Sequence, residues 1–194
     1  VRAFTDEVPS MDIIKDILKM ANSAPSGGNI QPWKVYVLNE ASKTKLAEKT
    51  LHNFDNGVQE EIEYDIYPKP LADEYKKRRY ECGADMYNAL SIEKDDLDSR
   101  FKQIRENYNF FGAPLGMIIT IDRSFGNNGW GHVGMFLENL WLSAIHHGLG
   151  LCLQESWSIY PKTVKEAIRH PDNEMVWCGI AIGYMDKDNP INNY

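Results

Sequence analysis

Ala24-Pro25-Ser26-Gly27-Gly28-Asn29-Ile30-Gln31-Pro32-Trp33 is the stretch on which the reading of this chain turns. Proline and glycine punctuate it too densely for a helix or a strand, so it is a connection. Before it, Ser10 can cap a helix whose apolar residues Ile13, Ile14, Ile17, Leu18 and Ala21 recur at helical spacing and which ends near Asn22. After it, Val35, Tyr36, Val37 and Leu38 read as a strand. The glycines therefore follow a helix, whereas a dinucleotide-binding glycine loop follows a strand. Chemically the loop offers backbone N–H groups, the Ser26 hydroxyl and the carboxamides of Asn29 and Gln31. That set suits the edge of a planar heterocycle rich in donors and acceptors.

Outward from this loop, helices and strands alternate irregularly. Residues 41–66 read as two helical pieces broken near Asn56-Gly57, and Tyr67-Pro68-Lys69-Pro70 as a surface turn. Residues 71–81 and 93–107 read as further helices, charged on one side. Residues 115–121 are a dense apolar run closed by Asp122, a buried strand. Residues 130–147 form the most hydrophobic helix, with Val133, Phe136, Leu137, Leu140, Trp141, Ala144 and Ile145 spread over more than one face. Such a helix is buried, either centrally or against another subunit. Gly148-Leu149-Gly150 stops it. A strand over 151–153, a short helix over 162–168 and a long buried strand over 175–184 complete the order. The expected class is α+β, a central mixed sheet flanked by helices.

The 194 residues, 43% apolar, suffice for one domain and are short for two, so 1–194 is read as a single domain. A formal net charge of −7 argues against nucleic acid as a partner. The one basic run, Lys76-Lys77-Arg78-Arg79, is flanked by Asp73-Glu74 and Glu81 and reads as a solvated helix face. Cys82, Cys152 and Cys178 are odd in number and form no CxxC pair, which points away from disulfides and structural zinc and toward a reducing, cytoplasmic setting. No apolar run reaches the roughly 20 residues of a membrane-spanning helix. The five histidines fall in no HExxH or nucleophile pattern, and there is no Walker A loop, GxSxG or GxGxxG. Side-chain acid–base catalysis thus has no motif.

Two further stretches bear on function. Val1-Arg2-Ala3-Phe4 stands opposite the helix start at Pro9-Ser10. In Gly148-Leu149-Gly150-Leu151-Cys152-Leu153-Gln154-Glu155-Ser156-Trp157, a strand end breaks into a polar turn whose backbone amides can face a ligand. Together with Asn107-Tyr108-Asn109-Phe110-Phe111-Gly112-Ala113-Pro114, Ile182-Gly183-Tyr184 and Asn189-Pro190-Ile191-Asn192, these landmarks resemble, over essentially the whole chain, the FMN-dependent nitroreductases, in particular their nitrobenzoate-reductase-like branch.

The resemblance implies an intertwined homodimer with FMN at the interface and NAD(P)H as co-substrate. It implies that Arg2 faces the flavin pyrimidine, where a fixed cation stabilises the charge of the reduced ring. Pro25, Ser26, Gly27 and Asn29 would reach the flavin from the other subunit. Leu153, Gln154 and Glu155 would line its N5 side, with the Glu155 N–H as the donor. It implies a ping-pong exchange of electron pairs between nicotinamide and a small aromatic acceptor, with no catalytic side chain and no metal. Tyr64, Tyr67, Tyr75 and Tyr80 fall in the family's variable segment over the pocket, where stacking on an acceptor and ordinary packing remain alternatives. Relatives carry basic residues outside positions 1 and 194 that hold the FMN phosphate, so the chain is expected to be trimmed at both ends. Two alternatives stand beside this. One is a reductive dehalogenase-like flavoenzyme, for which Glu60, Glu61, Tyr64 and Lys69 give a loose match to the lid. The other is a non-catalytic flavin-binding dimer.

Overall fold

The computed structural model describes residues 1–194. Helices α1 (Met11–Ala21), α2 (Glu40–Asp55), α3 (Asp73–Ala89), α4 (Leu97–Arg105), α5 (Asn127–His146) and α6 (Pro161–Ile168) surround strands β1 (Trp33–Leu38), β2 (Leu115–Asp122), β3 (Gly150–Gln154) and β4 (Glu174–Gly183). The strands form one sheet in the order β1-β2-β4-β3. The α+β class stands. The mixed character does not, because all three strand pairs are antiparallel. A parallel pair needs its strands to run the same way through a crossover connection; here each connection between paired strands brings the chain back in the opposite direction.

The central strands explain the two-sided core. β2 and β4 alternate with a period of two, as any strand must. Met117, Ile119, Ile121, Cys178, Ile180 and Ile182 enter the layer beneath α1 and α5. Ile118, Val176 and Ala181 enter the opposite layer, with Leu46 of α2, Val164 of α6, Phe110 and Trp157. Both strands are buried on both faces, which is why they read as continuous apolar runs. Ser10 caps α1 by accepting the Ile13 N–H, as its position suggested.

The alternation breaks once, and the break shapes the site. Ile119 pairs with Cys178 but Thr120 pairs with Val176, so Trp177 is an extra residue on β4. Such a bulge re-aims a side chain. Trp177 turns out to stack with Tyr64 (5.1 Å, 21°) and meets Trp130 edge-on at 4.7 Å.

The expected second helix within 41–66 is absent: α2 ends at Asp55, and 58–66 is an irregular strap. Long-range side-chain bonds hold it in place of local ones. Glu60 accepts the Lys162 N–H at 2.7 Å and the Thr163 N–H at 3.2 Å, capping α6 from a distance. Glu63 accepts the Val176 N–H at 3.2 Å and pairs with Arg123. The Tyr64 hydroxyl donates to the Trp177 carbonyl. The helices at 71–81 and 93–107 exist with shifted bounds, α3 running on to Ala89 and α4 beginning at Leu97.

Candidate functional site

β3 is an edge strand, and its first half is covered by the chain's own start. The Val1 amino group donates to the Leu151 carbonyl at 3.4 Å. Val1 also packs over Gly150, where a Cβ would lie 2.7 Å from its methyl. Gly150 therefore has to lack a side chain. Gly148, at φ 74°, ends α5 in the left-handed conformation that glycine adopts without strain. Since Leu151 turns its carbonyl to the outer edge, the two-residue alternation turns the N–H and C=O of Leu153 outward as well. This is an open stretch of sheet edge.

Arg2 stands beside it. Its N–H donates to the Asn192 carboxamide at 2.8 Å, and its guanidinium reaches the Tyr194 hydroxyl. It also acts on Cys152, whose thiol is pushed up by burial and partly pulled back by the Arg2 charge. Asn192 further donates to the carbonyls of Ala3 and Asp186, both at 2.8 Å, so residues 2–3 are tied to the segment after β4. Asn189 and Asn192 were legible only as landmarks; Asn192 fixes the Arg2 backbone, and Asn189 accepts the Ile191 N–H to start the turn that carries Asn192.

The turn after β3 is built from beneath. Gln154 is 2% exposed. Its amide donates to the Asn107 carbonyl at 2.6 Å and its carbonyl accepts from Trp157 Nε1 at 3.3 Å. Its side chain is thereby consumed inside the protein. Trp157 lies against Gly179, where a Cβ would meet its ring at 2.0 Å, and stacks on Phe110 at 4.4 Å. Phe110 and Phe111 hold φ near 50° and Gly112 71°, a left-handed run that turns Phe110 under Trp157. Two non-glycine residues in that region carry strain, which persists only where packing holds it. Thus the Asn107-to-Pro114 stretch supports the turn and does not line it. Glu155 is exposed along its outer side, yet the turn desolvates its carboxyl enough to raise it above the ordinary carboxylate range. No cation accompanies it, so it is poorly placed as an ionised base.

The Ala24-to-Trp33 loop forms a second, separate surface. Asn22 closes its neck, accepting from Trp33 Nε1 at 3.0 Å and from the Gln31 amide at 3.2 Å. Ser26 Oγ accepts the Gln31 N–H at 3.0 Å, and Gly27 N–H reaches His132 Nε2 at 3.4 Å. Of the two carboxamides, Gln31's is used internally and Asn29's is free. Pro25, Gly27, Gly28, Asn29 and Ile30 are exposed. No hydrogen bond or ion pair joins this loop to Arg2 or to residues 153–155. The loop feeds β1 at one edge of the sheet and the turn follows β3 at the other, roughly 14 Å apart across three strand spacings. His132 and the Trp130–Trp177–Tyr64 cluster carried no sequence signal, because the bulge that assembles the cluster is a matter of register.

The lid residues do not converge. Glu60 caps α6, Tyr64 is packed between Trp130 and Trp177, and Lys69 pairs with Asp65 at 2.6 Å. For Tyr64, then, packing is the role seen. No three His, Cys, Asp or Glu side chains gather as a metal site.

The α+β sheet thus leaves an open edge of backbone groups beside the Arg2 guanidinium, with no acid–base pair at that edge. The nitroreductase family model matches residues 1–184. A 4-nitrobenzoate reductase of Nocardioides sp. (strain LMS-CY) is 34% identical over 98% of this chain and 78% of that protein. The structure of the FMN and NADPH-dependent nitroreductase NfnB from Sphigopyxis sp. strain HMH superposes with a TM-score of 0.95 at 34% identity, covering 100% of this chain and 87% of that one. The FMN-dependent NfnB of Mycobacterium smegmatis, in complex with NADPH, superposes with a TM-score of 0.94 at 26% identity over 100% and 86% of the two chains. The chain belongs to the nitroreductase family.

Replacing Gln154 by Leu leaves the Asn107 carbonyl and the Trp157 N–H buried without partners. At roughly 1–3 kcal/mol for each unsatisfied group, urea denaturation is expected to show a loss on the order of 2–6 kcal/mol. A loss below about 0.5 kcal/mol, the range of an ordinary surface substitution, would show that the bridge does not hold the turn.

Proposed function

We propose that this chain binds FMN and uses NAD(P)H to reduce nitroaromatic or related small acceptors. The observation that carries the reading is the commitment of Gln154. With that side chain spent inside, the 153–155 turn addresses a ligand through backbone groups, as the rim of a planar heterocycle requires. Arg2, the outward Leu153 N–H and C=O, and the Glu155 N–H fit such a ring from one side. Pro25, Ser26, Gly27 and Asn29 offer a second set of exposed groups. FMN, when bound, supplies a two-electron carrier able to take hydride from a nicotinamide and pass it to an acceptor. The chain's own part is to bind and orient, and to hold the Arg2 guanidinium beside the ring. Glu155 contributes its amide and not its carboxylate.

The two sets lie at opposite edges of one sheet, so a single ring within one chain does not bridge them. A second copy supplying the 25–29 loop to the first copy's Arg2 and 153–155 turn resolves this, and supports a homodimer with the cofactor at the interface. Exposed apolar side chains agree: Met20 of α1 (58% exposed) lines one groove with Leu142 of α5 (57%), and Ile145 of α5 is 55% exposed. We read 1–194 as one domain, since both core layers share the same sheet. The three free cysteines, two of them buried, support a reducing, cytoplasmic setting. No helix is long and apolar enough to cross a membrane.

The direct test is the purified protein: it should be yellow and oxidise NADPH or NADH only when a nitroarene such as nitrobenzene is supplied. Colourless protein that takes up no added FMN would sink the reading. Arg2→Ala is expected to make the flavin midpoint potential more negative, on the order of 30 mV for each 1.4 kcal/mol of lost stabilisation; an unchanged potential would remove Arg2 from the ring. Light scattering is expected to give twice the 22.3 kDa chain mass, and a monomer that still binds FMN would overturn the shared site.

A further inference from the structure

The basic run Lys76-Lys77-Arg78-Arg79 does not form one solvated face. The structure splits it. Lys77 pairs with Glu81 at 3.7 Å and Arg78 with Glu74 at 3.6 Å, along one side of α3. Lys76 and Arg79 turn to the other side, which carries Tyr80 and Tyr87 at helical spacing. There they meet Lys94 and Arg100 from the chain that follows, around a cavity of about 530 Å³. No acidic residue lines it. Only Lys76 has an ion-pair partner, Asp73 at 2.9 Å. Arg100 is stacked over the Tyr87 ring at 4.1 Å and Arg79 over the Tyr67 ring at 4.4 Å. Stacking fixes each guanidinium plane; Arg100 Nη1 also donates to the Lys94 carbonyl at 3.1 Å, and neither fork has a carboxylate partner.

Three cations without an ion-pair partner, Arg79, Lys94 and Arg100, share one concavity in a chain of net charge −7, and their mutual repulsion favours an anion among them. Arginine forks held by rings match phosphate oxygens in pairs. The exposed Tyr80 ring beside them suits a flat base. The cavity also continues toward the functional site. Arg79 is shared with a neighbouring cavity of about 500 Å³ walled by Tyr64, Tyr67, Leu71, Ser158 and Ile159. Ser158, which also walls that cavity, donates its hydroxyl to the Glu155 carbonyl at 2.8 Å.

We propose that this basic cavity on α3 binds the phosphorylated adenosine end of the nicotinamide co-substrate, with Arg79 and Arg100 holding the 2′-phosphate that distinguishes NADPH from NADH. The proposal rests on the preceding reading only in taking a nicotinamide as co-substrate. The sequence alone shows no 2′-phosphate clamp, because its two arginines lie on different elements and only one belongs to the basic run.

The test uses the purified full-length protein with adenosine 2′,5′-bisphosphate, adenosine 5′-monophosphate and inorganic phosphate as probes in calorimetry. The bisphosphate is expected to bind about tenfold or more tightly than the monophosphate, the size of one charge-assisted phosphate contact. Arg79→Gln/Arg100→Gln is expected to abolish that preference and to lower kcat/KM for NADPH about tenfold or more while leaving NADH unchanged. Lys77→Gln/Arg78→Gln removes the same charge from the opposite side of α3 and is expected to change neither. Equal binding of the two nucleotides, equal binding of inorganic phosphate, or equal losses in the two double variants would each overturn the assignment. Failure of the flavin reading shows separately, as protein that oxidises neither nicotinamide, and leaves the calorimetry readable.

Discussion

Gln154 donates to the Asn107 carbonyl and accepts from Trp157 Nε1, and nearly everything at the functional end of the sheet depends on that one carboxamide. Its two bonds join the end of β3 and the turn containing Trp157, three residues on, to Asn107, which lies 47 residues earlier and just before the left-handed run at Phe110. A buried amide with both ends satisfied is rigid, because any movement leaves a polar group without a partner in a place water does not reach. The turn at 153–155 is therefore held by its interior and free on its exterior. A site that speaks to its ligand through backbone groups needs that division, since backbone donors cannot be re-aimed by a rotamer change.

The same logic explains why so many aromatic residues cluster here without doing chemistry. Trp157 fills the space left by Gly179 and stacks on Phe110, and Trp177, thrown out of register by the bulge, meets Tyr64 and Trp130. Large flat side chains fill volume with few rotatable bonds, so they hold a turn rigidly. The strap at 58–66 completes the frame: Glu60, Glu63 and Tyr64 stitch it to α6 and β4.

Much of the fold was legible because it follows from period and punctuation. Ser10, Gly148 and the apolar runs at 115–121 and 175–184 mark their elements through local chemistry alone. The strap at 58–66 was misread as helix because its bonds run to residues about a hundred positions away, which no local pattern registers. The sheet was expected to be mixed because strand direction depends on pairing rather than on composition. For the site, resemblance nominated Arg2, the 25–29 loop and the 153–155 turn, but gave no account of which atoms are available. Gln154 and Gln31 both read as ligand donors and are both committed internally. Asn29, identical in chemistry, is free. Burial separates them, and burial is a tertiary property.

The two exposed sets of groups on each chain also constrain how α3 can work. No residue of α3 is buried, so this helix contributes nothing to the core and is kept for what its faces meet. An amphipathic helix would have been recognised by its apolar stripe; α3 has none, and its asymmetry is of charge. One side neutralises its cations within the helix, through Lys77 with Glu81 and Arg78 with Glu74; on the other, Lys76 pairs with Asp73, but Arg79 is stacked on a ring without a counter-charge, as is Arg100 of α4 across the cavity. The unpaired guanidinium groups concentrate an attractive potential on one concave surface of an otherwise acidic protein, next to the cavity that Tyr64 walls. Field focusing of that kind acts on whatever anion approaches the site, so α3 shapes selectivity by charge while the sheet edge and its turn shape it by geometry.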